Sequence, residues 1–398
     1  MASTTLGTIR ATISGFCLIA IGLCFTRWAY TPLIPSMIDA GWVDKPEAGY
    51  LGAFNSVGYM IGCIAAIWGP KVLAVRSLMR AALLLAVVSL VMGVWDLGFA
   101  WLAAARFIAG FAGAICIIQT PTVMLKHISE GARGMCGGIA FAGAGTMIVV
   151  ASLLLPMTLG GGPSGGWLLE AGLTFVMAVI GWPLISTADQ SPDRSRVKVE
   201  PLDARPGRVL AMISVAYVLA AIGVTPHTLF LADYLHRDLG VSIAGSSSLF
   251  AILGAGCALG ALTSGAAARF LGIRTKLIIS YVFGAISVAM VLLFDSVIVV
   301  TGSAFLMGVF VLQCVPLTSM RTLEIVGIKR HAHFWGFMAI SFGGGLAVGS
   351  YGMSGLLALG FKYLDLFVVA EIALLLGLVL IGVSWIDRTH SSGVEAEA

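Results

Sequence analysis

The chain has 398 residues, 59% of them hydrophobic and only 11% charged, with a mean hydropathy of +1.01 and a formal net charge of +4. Soluble domains carry about 25% charged residues, so an ordinary soluble domain is excluded, and a small basic excess spread over loops reports membrane topology and not nucleic-acid binding. Seven cysteines fall singly inside apolar runs, as small packing residues and not as a disulfide framework or metal site.

A helix needs roughly 20 apolar residues to cross the hydrocarbon core. The first such stretch, 12–37, contains Arg27 and the proline pair Pro32 and Pro35. No small-residue cleavage site ends it, so a retained helix is expected and not a signal peptide. Spans follow at 48–68, 77–95, 99–124, 134–157 and 166–186. The polar stretch "DQSPDRSRVKVEPLDARPGR" then divides the chain, and six more spans follow at 209–234, 245–268, 276–294, 297–320, 334–358 and 364–386. The expectation is an all-α membrane protein with 12 transmembrane helices: a six-helix bundle over 1–187, a cytoplasmic linker 188–208, a second bundle over 209–387 and a tail 388–398.

With the N-terminus cytoplasmic, eighteen of the 23 basic residues fall on the cytoplasmic side and only Lys45, Arg237 and Lys362 on the other. That bias predicts that both termini are cytoplasmic. The remaining two, Arg27 and Arg106, lie within spans.

The second half repeats the first at an offset of 194 to 201. Thr31-Pro32 recurs as Thr225-Pro226, Asp39 as Asp233, and Ala48, Gly49, Phe54 and Gly58 as Ala244, Gly245, Phe250 and Gly254. Gly69 recurs as Gly265, Gln119 as Gln313, Gly143 and Gly145 as Gly343 and Gly345, and Glu170 as Glu371. On this register Arg27 falls opposite Ala221. Six spans, a linker and six similar spans of the same orientation imply two bundles related by an axis along the membrane normal.

This organisation resembles the major facilitator superfamily. The resemblance is carried by the basic loops "GPKVLAVRSLMR" and "GAAARFLGIRTK" and by "RFIAGFAGA", which is similar to the superfamily's fourth-helix Arg-x-x-x-Gly signature. The first loop departs from the family pattern at Pro70 and Val75. More narrowly, "TRWAYTPLIPSM" with "TPHTLFLADYL" looks like the YbfB/YjiJ branch. The resemblance implies a central cavity lined by the first helix of each half.

An arginine near the centre of an apolar helix costs about 2.5 to 3.5 kcal/mol on insertion scales, so Arg27 must face protein, water or a partner. On an ideal helix Arg27, Tyr30, Thr31 and Ile34 share one face, which the resemblance turns toward substrate. The competing role for Arg27 is capping carbonyls freed below Pro32 or pairing with a neighbouring helix. Gln119, Gln313, and the i,i+4 pair Asn55 and Tyr59 are further substrate candidates, or interhelical glue. His227 is a titratable candidate on a cavity helix, or a satisfied structural histidine. The resemblance implies that Arg106 contacts the first helix and assists coupling; the competing role is structural hydrogen bonding. Asp39 and Asp233 are candidates for coupling or gating.

Glu170 and Glu371 sit on peripheral spans near helix starts, where a structural role is expected. "HRDL" (236–239) mimics a kinase loop but lacks its asparagine, Ile243 standing there, and "HAH" (331–333) reads as a loop and not a metal site. The expected function is a non-enzymatic secondary active transporter without cofactor or metal. It would act as a monomer in a bacterial inner membrane and move a small organic anion or polar metabolite by alternating access, with proton coupling or exchange. The competing expectations are efflux of amphipathic compounds and a non-transporting membrane sensor.

Overall fold

A computed structural model describes residues 2–191, 202 and 204–389, so most of the linker 188–208 and of the tail 388–398 lies outside the described residues. Among the described residues the regular structure is helical throughout, as hydrocarbon demands of a chain whose backbone groups must bond within their own segment. Among the described residues eleven helices are long and apolar enough to cross a membrane. The twelfth long helix, Ile328–Ala358, has 31 residues, and its glycines and serines lower its hydropathy. The chain is therefore a multi-pass protein with the expected twelve spans.

The first span is broken: Ala2–Ala20 is α-helical, Ile21–Phe25 widens to a π turn, Trp28–Leu33 tightens to 3₁₀, and Ile34–Asp39 resumes. The seventh has a related break, with Ala204–Thr225, a π turn at Pro226–Phe230 and Leu231–Arg237. The other helices are continuous, as in the second (Lys45–Trp68), fourth (Phe99–Met124), fifth (Arg133–Leu154), eighth (Ile243–Leu271) and tenth (Val297–Val326). Reversals at Gly41, Gly98, Gly162, Gly240, Gly272, Gly327 and Gly360 all use positive φ, a conformation that glycine alone adopts without strain.

Two loop expectations are corrected. The segment opening at Gly265 stays helical to Leu271 and turns at Gly272, and "HAH" lies inside the eleventh helix, where His331 Nε2 is 3.2 Å from Ser319 Oγ. Large apolar side chains such as Leu168, Phe175, Ile298 and Val379 are exposed around the outside, the surface that a bilayer covers.

Packing also corrects the register of the repeat. A Cβ on Gly58 would strike the Phe107 carbonyl at 2.1 Å, and one on Gly256 would strike Phe305 at the same distance. Gly110 closes on the Asn55 carbonyl and Gly308 on that of Leu253. Each of these pairs is 198 apart, so Gly58 corresponds to Gly256 and not to Gly254. Gly143 closes on the Phe16 carbonyl and Gly345 on that of Val218; Thr26 Oγ1 donates to Gly22 and Thr228 Oγ1 to Val224. The seventh span has no arginine between Arg208 and Arg237, so Arg27 is unrepeated in any nearby register.

The halves meet through the fifth and eighth spans and through the second and eleventh. Gly145 lies against the backbone of Gly254 and Ala258, and Gly343 against Tyr59 and Met60. Toward the Asp39 end the contact becomes polar. Thr31 Oγ1 donates to the Thr228 carbonyl, Ser247 Oγ donates to Pro32 O at 2.9 Å, and Arg237 reaches Asp39.

Candidate functional site

The break in the first span creates the site. The amide of Thr26 reaches back to Ile21 O at 3.1 Å and that of Arg27 to Cys24 O at 3.2 Å, so the ladder loses its α-helical register. Arg27 itself stands outside helical geometry, at φ −133 and ψ −66. The carbonyls of Thr26 and Arg27 need new donors, since a buried backbone acceptor left unpaired is costly. Arg106 supplies them from the fourth span, with Nη1 3.4 Å from Thr26 O and Nη2 3.1 Å from Arg27 O. Asn55 Nδ2 adds bonds to Thr26 O at 2.8 Å and to Arg106 O at 2.9 Å. The carbonyl-capping role considered for Arg27 thus belongs to Arg106 and Asn55.

Arg27 is left with other company. Its guanidinium carbon lies 5.5 Å from the Tyr59 ring centre and 5.8 Å from that of Trp28, both within cation–π range. Among the described residues its side chain makes no hydrogen bond and no ion pair. It faces a narrow cavity of about 20 Å³ between the halves. The first half contributes Arg27, Trp28, Gly52, Asn55, Ser56 and Arg106; the second contributes Thr225, Thr228, Leu229, Leu346 and Ser350. Two guanidinium groups and several hydroxyls therefore line it, and among the described residues no carboxylate does.

The other candidates lie elsewhere. Tyr30 is not on the cavity face, because the break cancels the 100° spacing. It is buried beneath Arg106, whose guanidinium carbon is 4.4 Å from the ring, and its hydroxyl donates to Ala48 O at 2.9 Å. Gln119 Nε2 donates to Ala66 O at 2.5 Å, joining the fourth span to the second. Gln313 does the same work in the other half, donating to Thr263 Oγ1 and accepting from Ser280 Oγ, each at 3.0 Å. Neither glutamine lines the cavity, and on the corrected register they sit a helical turn apart. His227 turns into its own bundle, with Nε2 3.1 Å from Ser303 Oγ and 3.3 Å from Ser287 Oγ, and its ring edge-on to Phe367.

Asp39 and Asp233 come together at the end of the molecule away from the basic loops, joined through Arg237. Glu170 is buried inside the first half, and among the described residues neither of its carboxylate oxygens has a bonding partner. The hydroxyls of Thr225, Thr228 and Ser350 in the lining escaped the sequence reading. The Thr-Pro match pointed to the right stretch but did not show which of its side chains turn inward.

The family model described as "Uncharacterised MFS-type transporter YbfB" matches residues 19–381. Among solved structures the fold is similar to that of a point mutant of the nucleoside transporter NupG, with a TM-score of 0.70 and 13% identity over 96% of this chain and 100% of that one. No curated protein matches the sequence.

Proposed function

We propose that this chain, which belongs to the YbfB family of MFS-type transporters, carries a small organic anion, or a polar metabolite bearing an anionic group, through the Arg27 cavity by alternating access. The observation that supports this reading is the charge of the lining: Arg27 and Arg106 with no facing carboxylate, and Arg27 without an internal partner among the described residues. Guanidinium binds carboxylate or phosphate bidentately and stays charged at any physiological pH. The hydroxyls of Ser56, Thr225, Thr228 and Ser350 supply neutral hydrogen-bonding groups from both halves. A site shared by two bundles changes when they rock, which is what alternating access requires. On this reading, which the bias of the basic loops supports, both termini are cytoplasmic in a bacterial cell and the bundles 1–187 and 209–387 are the moving bodies. On this reading Asp39 and Asp233 gate the outer face. The nucleoside in the neighbour's title is not carried over, because 13% identity speaks for fold alone.

The test is counterflow in proteoliposomes with labelled carboxylates and phosphate esters, nucleosides serving as neutral polar controls. Loss of a charge-assisted hydrogen bond is worth about 1.5 to 3 kcal/mol, so Arg27→Ala is expected to weaken anion affinity about 10- to 100-fold. Arg27→Lys keeps the charge but loses the fork, and is expected to fall between. Wild-type rate and affinity in Arg27→Ala would overturn the assignment, and uptake that follows lipophilic cations while ignoring anions would favour drug efflux.

A further inference from the structure

At the end opposite the basic loops, the first and seventh spans finish side by side. Asp39 closes the first; Asp233, His236 and Arg237 occupy the last turns of the seventh. Arg237 Nη2 lies 2.6 Å from Asp39 Oδ1, and its Nε lies 3.0 and 3.1 Å from the two oxygens of Asp233. Asp233 is buried and also accepts a hydrogen bond from the Tyr363 hydroxyl of the twelfth span. One arginine thus ties a carboxylate of each half.

His236 adds a condition to this tie. Its Nδ1 is 2.7 Å from the Val241 carbonyl oxygen, which can only accept, so Nδ1 carries a hydrogen. In a neutral imidazole the other nitrogen is then a lone pair. That nitrogen, Nε2, faces Asp39 Oδ2 at 3.4 Å, a second acceptor. Only the imidazolium offers a donor to both partners.

We propose that His236 is a proton-binding site that latches the two halves together at this face. A proton from water settles on Nε2, completes the pair with Asp39 and holds the face shut; its loss sets a lone pair against a carboxylate and frees the face to open. The proposal rests on the alternating-access reading and adds a ligand and an atom to it. By the basic-loop bias this is the outer face, so the proton comes from outside.

The neighbouring charges are accounted for. Asp233 is engaged by Arg237 and Tyr363, and Lys45 of the second span stands 5.4 Å over the Tyr363 ring. Asp44 and Glu47 cap the second span through each other's backbone. Partial burial raises the Asp238 carboxyl above its ordinary range, while Lys45, Lys362 and Arg237 pull it down.

The test measures distances between nitroxides on cysteines placed at Ala40 and Ala244, exposed positions of opposite halves at this end, with the buried native cysteines replaced. In the wild type the long-distance population is expected to grow as pH rises from about 5 to about 8. His236→Gln should abolish that response. So should Asp39→Asn, which serves if the glutamine variant does not fold. A wild-type distribution independent of pH, or a His236→Gln variant that responds as the wild type does, overturns the proposal. Arg237→Ala separates the two ideas. If it lengthens the distance at every pH, the face is a gate and only the role of the proton hangs on His236; if it changes nothing, the gate and the proton latch both fail.

Discussion

Arg27 and Arg106 are both guanidinium groups in apolar spans, yet their neighbours give them opposite tasks. Arg106 donates to two carbonyls of the broken helix and lies across the Tyr30 ring, so its donors are spent on holding backbone. Arg27 rests on ring faces and keeps its donors for the cavity. Asn55 belongs with Arg106, since its amide bonds Thr26 O and Arg106 O together. In the other half the corresponding residue is Leu253, set by the contacts of Gly110 and Gly308. Asn55→Leu copies that half and strips a donor from two buried carbonyls. An unsatisfied buried group costs about 1 to 3 kcal/mol, moderated in membranes, where interhelical hydrogen bonds average about 0.6 kcal/mol. The expected outcome is a drop of a few degrees in Tm in detergent with Arg27-dependent binding weakened, because Arg27 follows directly on Thr26. An unchanged Tm would mean that the break needs no donor from the second span.

At the scale of the helix, the break decides what a sequence can reveal. Arg27 is legible as a candidate site residue because a lone charge in an apolar run demands an explanation. Tyr30 is misplaced by the sequence pattern because face-sharing assumes 3.6 residues per turn, and the chain abandons that between Ile21 and Leu33. Pro32 announces a disturbance, but the disturbance begins about a dozen residues earlier, where no proline stands. Glycines let the neighbouring helices close on this weakened stretch. Gly113 meets the Thr26 hydroxyl, and a Cβ on Gly110 would sit 1.9 Å from the Asn55 carbonyl, a backbone atom that cannot step aside. Gly110→Ala is therefore expected to push the second and fourth spans apart and lower Tm by several degrees, as overpacking typically costs about 1 to 3 kcal/mol. Gly172→Ala is the control, because nothing lies within 4 Å of its added carbon. Equal stability of the two variants would show that the close approach is not needed.

For the molecule as a whole, twelve spans and their two-fold repetition follow from segment length and order, which survive in any apolar sequence. The register of the repeat does not. A chain with 50 glycines offers matches at several nearby offsets, and what selects 198 for the second and fourth spans against the eighth and tenth is a contact between a glycine and a carbonyl on another helix. The glycines at the boundary between halves have a different meaning from those within a half. A Cβ on Gly145 would lie 2.2 Å from the Ala258 amide and 2.5 Å from the Gly254 carbonyl, so here the fifth and eighth spans lie backbone on backbone. Bundles that rock past one another need that surface smooth while each bundle keeps its own packing. Gly145→Ala is expected to leave each six-helix body intact, with unchanged helical circular dichroism, yet to slow counterflow at least tenfold with little change in substrate affinity. Gly110→Ala, by contrast, damages one bundle and lowers binding and stability together. The split between the two variants tests whether the halves move as rigid bodies. If Gly145→Ala instead lost affinity and stability in proportion to rate, the fifth and eighth spans would be a fixed seam, and the motion that exchanges access would have to lie within a bundle.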